Sequence, residues 1–208
     1  MILQRIDSQS PEPEAIARAV EILRLGGTVA YPTDTLYGIA VDPRSDVAVR
    51  RLFDVKGRPP SMAVPLIAAD HAQAEAAGTF GEVEHRLIEK FWPGPLTLVV
   101  RASPSIASRV LGGGVTVAIR VPAQAVARAL AQGFGFCITA TSANPSGSPA
   151  TEDAAQVRAA LGDRLDVLLD AGQTRGGAPS TIVRIDDGRP TLVRAGALAW
   201  ERVLESLQ

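Results

Sequence analysis

The sequence predicts an α/β protein in which helices cover a mixed β-sheet. Three observations carry this. Amphipathic helical stripes alternate with short apolar runs along most of the 208 residues. Two late strand-like runs flank Asp186-Asp187-Gly188, a hairpin turn that requires antiparallel pairing in the sheet. No repeat, low-complexity tract or linker divides the chain, so residues 1–208 are expected to form a single domain.

The elements follow in order. Ser10-Pro11-Glu12-Pro13-Glu14 is a helix-entry signal with acidic residues in the first turn, and Ile16, Val20 and Leu23 recur at helical spacing behind it. Gly26-Gly27 stops that helix, and Thr28 to Tyr31 reads as a buried strand. Ser45 or Asp46 caps a second helix with a buried stripe of Val49, Leu52 and Phe53. Val64-Pro65-Leu66-Ile67 is a short strand whose proline argues for an edge position or a strand start. Val83, Leu87, Ile88 and Phe91 mark a further helix, ended by Trp92-Pro93-Gly94-Pro95, and Leu96 to Val100 is a buried strand. Gly112-Gly113-Gly114 turns into a strand over Val115 to Val121, and Pro122 is placed to be the first residue of the next helix. Phe136 to Thr141 is a strand that runs into Ser142-Ala143-Asn144-Pro145-Ser146-Gly147. Thr151-Glu152-Asp153 opens a helix through Val157 and Leu161. Val167 to Leu169, Thr181 to Ile185 and Thr191 to Val193 are closing strands, and a short helix spans the region of Trp200 to Leu207. The Gly/Pro/Ser-rich stretches 142–150 and 171–180 read as site loops.

Composition narrows the functional classes. Hydrophobic residues make up 46% and charged residues 21%, an ordinary globular balance. A net charge of −1 gives no global pull toward nucleic acid or an anionic membrane, so an anion site must be a local gathering of Arg and Lys. Aromatics at 4% leave little for base stacking. One cysteine, Cys137, sits among apolar neighbours, excludes an intrachain disulfide and fits a cytoplasmic location. His71 and His85 lie in polar, helical stretches without a Cys or His ligand partner at metal spacing, so both read as surface residues and no metal site is expected. The N-terminus lacks a signal-peptide apolar core, and no apolar run reaches the length of a membrane span.

The chemistry-bearing residues gather at strand ends. Tyr31-Pro32-Thr33-Asp34-Thr35-Leu36-Tyr37-Gly38 closes the first buried strand in hydroxyls, and Lys56-Gly57-Arg58 sets two cations one residue apart. If that segment is extended, both cations share a face. Hydroxyls with a convergent Lys/Arg pair suit a nucleotide phosphate; the same residues also fit a turn and a solvated basic loop. Arg120 and Arg194 each close an apolar strand, Ser142 and Asn144 follow another, and Ser180 begins one after a glycine-rich loop. An arginine at such a position is costly to bury without a partner. Phosphate-loop, dinucleotide-fold and nucleophile-elbow signatures are all absent from the sequence.

Seven stretches together resemble the L-threonylcarbamoyladenylate synthases, the YrdC-like domain family. They are residues 31–38, Lys-Gly-Arg-Pro at 56–59, Phe-Trp-Pro-Gly-Pro-Leu-Thr at 91–97, Val-Ala-Ile-Arg-Val-Pro at 117–122, Ala-Thr-Ser-Ala-Asn-Pro-Ser-Gly at 140–147, Ser-Thr-Ile-Val at 180–183 and Leu-Val-Arg-Ala-Gly at 192–196. The resemblance implies a twisted mixed sheet with helices on both faces and a basic concave site. It implies that L-threonine, bicarbonate and ATP give threonylcarbamoyl-adenylate and pyrophosphate, for modification of adenosine next to the anticodon in tRNA. It places threonine against Thr33, Arg120, the Ala140 backbone and Ser180. It places ATP against Lys56, Arg58, Thr116, Ser142, Asn144 and Arg194, with the backbone near Met62 and Ala150. Lys56 and Arg58 are the expected catalytic pair, and Mg2+ is expected to arrive on the ATP phosphates rather than in a protein cage. Met62 stands where members often carry a polar residue. The longer relatives add a C-terminal domain over the site, and this chain reads as the short form. Partner proteins that use the adenylate, and weak binding of tRNA or double-stranded RNA, complete the expectation. The alternative is a paralogue of the same fold that binds RNA without synthase activity.

Overall fold

The computed structural model describes residues 1–59 and 61–208. Twelve strands among them are β1 (Ile2–Arg5), β2 (Val29–Pro32), β3 (Tyr37–Ala40), β4 (Leu66–Ile67), β5 (Gly78–Thr79), β6 (Leu96–Ala102), β7 (Thr116–Arg120), β8 (Ile138–Thr139), β9 (Thr141–Ser142), β10 (Val167–Asp170), β11 (Thr181–Asp186) and β12 (Arg189–Arg194). The helices are α1 (Pro13–Arg24), α2 (Asp46–Lys56), α3 (His71–Glu75), α4 (Glu82–Phe91), α5 (Ala125–Phe134), α6 (Ala154–Leu161) and α7 (Trp200–Glu205).

The α/β class holds, but the strands form two mixed sheets rather than one. The first runs β1-β10-β2-β3-β9, and the second runs β12-β11-β6-β7-β4-β8 with β5 added against β6. In the first, β1, β10 and β2 are parallel, and β3 returns antiparallel to β2 in the register Tyr31↔Gly38. In the second, β6 and β7 are antiparallel with Leu98 opposite Ile119, and β4 runs parallel to β7 with Ile67 level with Arg120.

Local signals explain most boundaries. Pro13 starts α1, whose Ala15, Ile16, Ala19, Val20 and Leu23 are buried. The Ser45 side chain accepts from Ala48 N–H, so of the two candidate caps it is the serine that starts α2. The hairpin between β11 and β12 turns through Asp187 and Gly188 at φ 50° and 76°, the left-handed pair that a two-residue turn needs.

Three expectations are corrected, and a choice between two alternatives is decided. Pro122 does not begin a helix: Gln124 caps α5, its side chain accepting from Ala127 N–H, so Pro122 lies in the connection. For the 64–67 strand, read as lying at an edge or as having its proline at the strand start, the second alternative holds. Leu66–Ile67 pair with β7 on one side and β8 on the other, and Pro65 precedes the ladder, so it removes no ladder hydrogen bond. The run 136–141 is not one strand. It breaks at Ala140, leaving β8 in the second sheet and β9 in the first. Tyr37, a residue of the 31–38 stretch that also fits a turn, instead opens a fully buried strand, Tyr37–Ala40.

The core is continuous between the sheets and helices, and Tyr31 and Tyr37 are among its largest fully buried side chains. Each phenol has a partner: Tyr31 Oη donates to Thr139 O at 2.9 Å, and Tyr37 Oη donates to Gly172 O at 2.7 Å. The Thr139 hydroxyl donates to Ile39 O and accepts from Val41 N–H, both at 2.9 Å. That residue therefore laces the second sheet to the first.

Candidate functional site

A cavity of about 390 Å³ opens where the two sheets meet. Its walls come from the 33–38 turn, Arg58, Pro65–Ile67 on β4, Arg120 at the end of β7, Ala140 to Ser142 across the break, Ala150, and Pro179–Ser180 with Arg194. Eight of the expected site residues line it: Thr33, Arg58, Arg120, Ala140, Ser142, Ala150, Ser180 and Arg194. The sheet topology explains the convergence. β4 ends beside Arg120, β9 pairs with β3 just after the 33–36 turn, and β11 starts at Thr181 alongside Leu96.

The lining is cationic. It holds three arginines and no carboxylate among the described residues. Arg120 is buried, and its Nη1 donates to Asp34 Oδ2 at 2.7 Å. Asp34 was not among the expected site residues, although it lies inside the motif that marked the site. Arg58 donates to Ala63 O at 2.7 Å and, at longer range, to Met62 O and Thr141 Oγ1, both 3.4 Å. Burial lowers its guanidinium pKa from the usual range. Arg194 Nη2 donates to Ser180 O at 2.7 Å. Burial first, and then the charge of Arg120, lower its pKa too. Like charges held this close favour an anion between them.

The hydroxyls are held in place. Thr33 Oγ1 donates to Leu36 O at 2.6 Å and accepts from Leu36 N–H at 3.3 Å, closing the turn. Ser180 Oγ lies 2.8 Å from Thr97 Oγ1 on β6. Thr97 also lines the cavity and was missed. Its signal was present: it is the lone hydroxyl within an otherwise apolar strand start, Leu96 to Val100. The Ala140 N–H is engaged by Pro65 O at 2.8 Å, so a contact from this backbone rests on the carbonyl.

Four expected residues stand outside the lining: Lys56, Met62, Thr116 and Asn144. Lys56, the buried last residue of α2, donates from Nζ to Ser142 O and, at 2.7 Å, to Asn144 O. Burial, and secondarily Arg58, lower its ammonium to about 8. Asn144 Nδ2 donates to Ser148 O at 2.6 Å and Pro145 O at 3.0 Å, folding the 144–148 loop, while its buried Oδ1 has no partner among the described residues. Lys56 and Asn144 thus brace the loop that carries Ser142. Met62 is exposed. Thr116 is an exposed residue on the face of β7 that it shares with Arg120, four residues away, or about 13 Å.

Away from the cavity, Cys137 is buried. Burial pushes its thiol up to about 12, and it donates to Gln73 O at 3.4 Å, which matches an inert core role. The histidines depart from expectation. His71 and His85 are half-buried, and the fold brings them together with Glu75, the donor atoms of all three within 4.8 Å of one another. No helix is long and apolar enough to cross a membrane among the described residues.

Comparison with known proteins gives these features a context. The Sua5/YciO/YrdC family profile, described as "Telomere recombination", matches residues 21–196. A threonylcarbamoyl-AMP synthase of Bacillus subtilis is 36% identical over 95% of this chain and 58% of its own length. One from Pyrococcus abyssi is 36% identical over 89% of this chain and 55% of its own, so the chain spans little more than half of these two relatives. A shorter synthase from Halorhodospira halophila is 40% identical over 85% of this chain and 92% of its own. Among solved structures, P. abyssi Sua5 complexed with L-threonine superposes over all of this chain and 61% of its own with a TM-score of 0.94 at 33% identity. E. coli YciO superposes over 94% of this chain and 96% of its own with a TM-score of 0.85 at 27% identity. With the profile covering most of its length and the cavity built from the family's motifs, the chain belongs to the Sua5/YciO/YrdC family.

Proposed function

We propose that residues 1–208 act as one YrdC-like unit that makes threonylcarbamoyl-adenylate and pyrophosphate from L-threonine, bicarbonate and ATP. The observation that carries this reading is the cavity lined by three arginines and several fixed hydroxyls, with no cysteine, histidine or carboxylate in its wall among the described residues. Such a site suits two anionic substrates that react with each other. The threonine amine attacks bicarbonate, and loss of water leaves a carbamate. A carbamate oxygen then forms a bond to the α-phosphorus of ATP as the bond to the pyrophosphate oxygen breaks. No covalent enzyme intermediate is needed. The protein contributes positioning, which is worth up to roughly 7–11 kcal/mol in favourable cases, and charge neutralisation on the departing phosphates.

In this reading Arg120 takes the threonine carboxylate, with Thr33, Ser180 and the Ala140 carbonyl around the rest of the amino acid. Arg58, Ser142, Ala150 and Arg194 meet ATP. Lys56 and Asn144 hold the Ser142 loop from beneath, and Lys56 adds positive charge behind the phosphates. Thr116, on the same face of β7 as Arg120, and the Met62 backbone meet the part of the nucleotide that extends beyond the cavity. ATP enters as its magnesium complex. The threonylcarbamoyl-AMP synthases among the chain's relatives and the L-threonine in the Sua5 structure support this assignment. The product then passes to partner proteins that modify tRNA, a reaction that places the protein in the cytoplasm.

The test is pyrophosphate release by the purified protein from ATP and bicarbonate, with and without L-threonine. Release that requires both threonine and bicarbonate is expected. ATP binding without release would refute synthesis and favour the RNA-binding paralogue, which a salt-dependent RNA titration would then reveal.

A further inference from the structure

We propose that His71, Glu75 and His85 form a site for a divalent transition-metal ion of the zinc class, joining α3 to α4. None of the three lines the cavity described above, so the inference is independent of the reaction proposed there.

The geometry is already close to that of a bound ion. His71 and Glu75 are the first and last residues of α3, four apart and on one face, with Nε2 and Oε1 3.5 Å from each other. His85, on α4, lies against them with its ring centroid 5.0 Å from that of His71. A tetrahedral zinc site with bonds of about 2.0–2.1 Å sets its donors about 3.4 Å apart. The His71–Glu75 pair meets that spacing as it stands. The widest donor separation allowed by the cluster, 4.8 Å, closes by roughly 1.4 Å, which rotation of these partly exposed side chains supplies.

Two further features favour a ligand over a solvated patch. His71 Nε2 is buried and, although it lies 3.5 Å from Glu75 Oε1, has no hydrogen-bond partner among the described residues; a bound ion would satisfy it. Aromatic side chains also flank the rings. Phe80 stands edge-on to His71 at 6.1 Å and against His85 at 6.3 Å, and Trp92 backs it at 5.9 Å. The start of each helix is tied: Asp70 accepts from Gln73 N–H at 2.8 Å, and Glu84 accepts from Gly81 N–H at 3.2 Å. Two imidazoles and one carboxylate select zinc, cobalt, nickel or copper over magnesium or calcium, which favour all-oxygen shells. Three protein ligands leave a position for water, so binding is reversible and chelator-sensitive.

The test is titration of the purified protein, stripped with EDTA, with Co2+ and then Zn2+. One equivalent of Co2+ with visible absorption, displaced by one equivalent of Zn2+, is expected, along with a rise in Tm on zinc addition. His71→Ala and His85→Ala each weaken binding at least about tenfold and abolish the Tm rise. Glu75→Gln, at a half-exposed position, does the same to a smaller degree and keeps the test open if a histidine variant fails to fold. Cys137→Ser leaves binding unchanged. The absence of stoichiometric binding by the wild-type protein overturns the proposal. So does binding that survives the double histidine variant, or binding lost in Cys137→Ser.

Discussion

Arg120 already holds a carboxylate, Asp34, at 2.7 Å in a largely buried position. In the proposed reaction the substrate carboxylate takes a place beside or instead of it. Arg120→Ala therefore raises the threonine requirement roughly ten- to a hundredfold, the loss of a charge-assisted pair worth about 1.5–3 kcal/mol, and changes the ATP requirement less. Steady-state kinetics with each substrate varied separately measure this; a larger effect on ATP would mean the two subsites are exchanged. Arg58→Ala shows the converse bias, with most of its loss in ATP use. Lys56 gives a pH dependence of stability. Its ammonium titrates near 8 in the fold against 10.5 ordinarily, so the folded protein sheds this proton first. Between those two values the unfolded chain binds more protons, and unfolding free energy rises with pH; below about 8 both states are charged and the full burial cost stands. Lys56→Met removes that rise. Urea unfolding of both proteins at about pH 7.5 and about pH 9.5 checks it, and a pH-independent difference between them would refute the shift.

At the scale of single elements, the site depends on how the last hairpin returns to the cavity. Gly196 follows β12 so closely against the 179–181 backbone that an added Cβ would lie 2.2 Å from Pro179 O and 2.5 Å from Thr181 N. Those are backbone atoms, which cannot swing aside. Gly196→Ala should therefore push the Pro179–Ser180 wall inward and lower activity well beyond its effect on Tm. Equal activity with unchanged amide exchange at 179–181 would show that the turn gives way instead. The same elements show what was readable in advance. Ser45, the 187–188 turn and the stripes of α1 and α2 carry their own chemistry, through caps, turn residues and periodicity, and the sequence reading found them. Eight cavity residues were legible because short motifs place them at strand ends. Asp34, Thr97, the break at Ala140 and the interior position of β4 were not, because each is decided by a partner distant in the chain: Arg120, Ser180, the second sheet and β8. The histidine cluster was hidden for the same reason, since His71 and His85 meet only when α3 folds onto α4.

Across the whole molecule, Thr139 ties the two sheets together. Its hydroxyl accepts from Val41 N–H and donates to Ile39 O, and its carbonyl takes the Tyr31 phenol. Thr139→Val keeps the shape but leaves the Val41 N–H without this acceptor in a fully buried place, at a cost of about 1–3 kcal/mol. Urea denaturation measures it, and a change under half a kcal/mol would mean that the backbone relaxes to another partner. The broken strand around Ala140 has a consequence for cooperativity. Residues 138–142 supply a strand to each sheet in turn, and β10, late in the chain, is inserted between β1 and β2 at its beginning. Neither sheet can melt without withdrawing strands from its neighbour or from the opposite end of the polypeptide. Scanning calorimetry should therefore give one heat-absorption peak whose van't Hoff and calorimetric enthalpies agree, and two resolved peaks would mean that the seam at the cavity is mechanically soft.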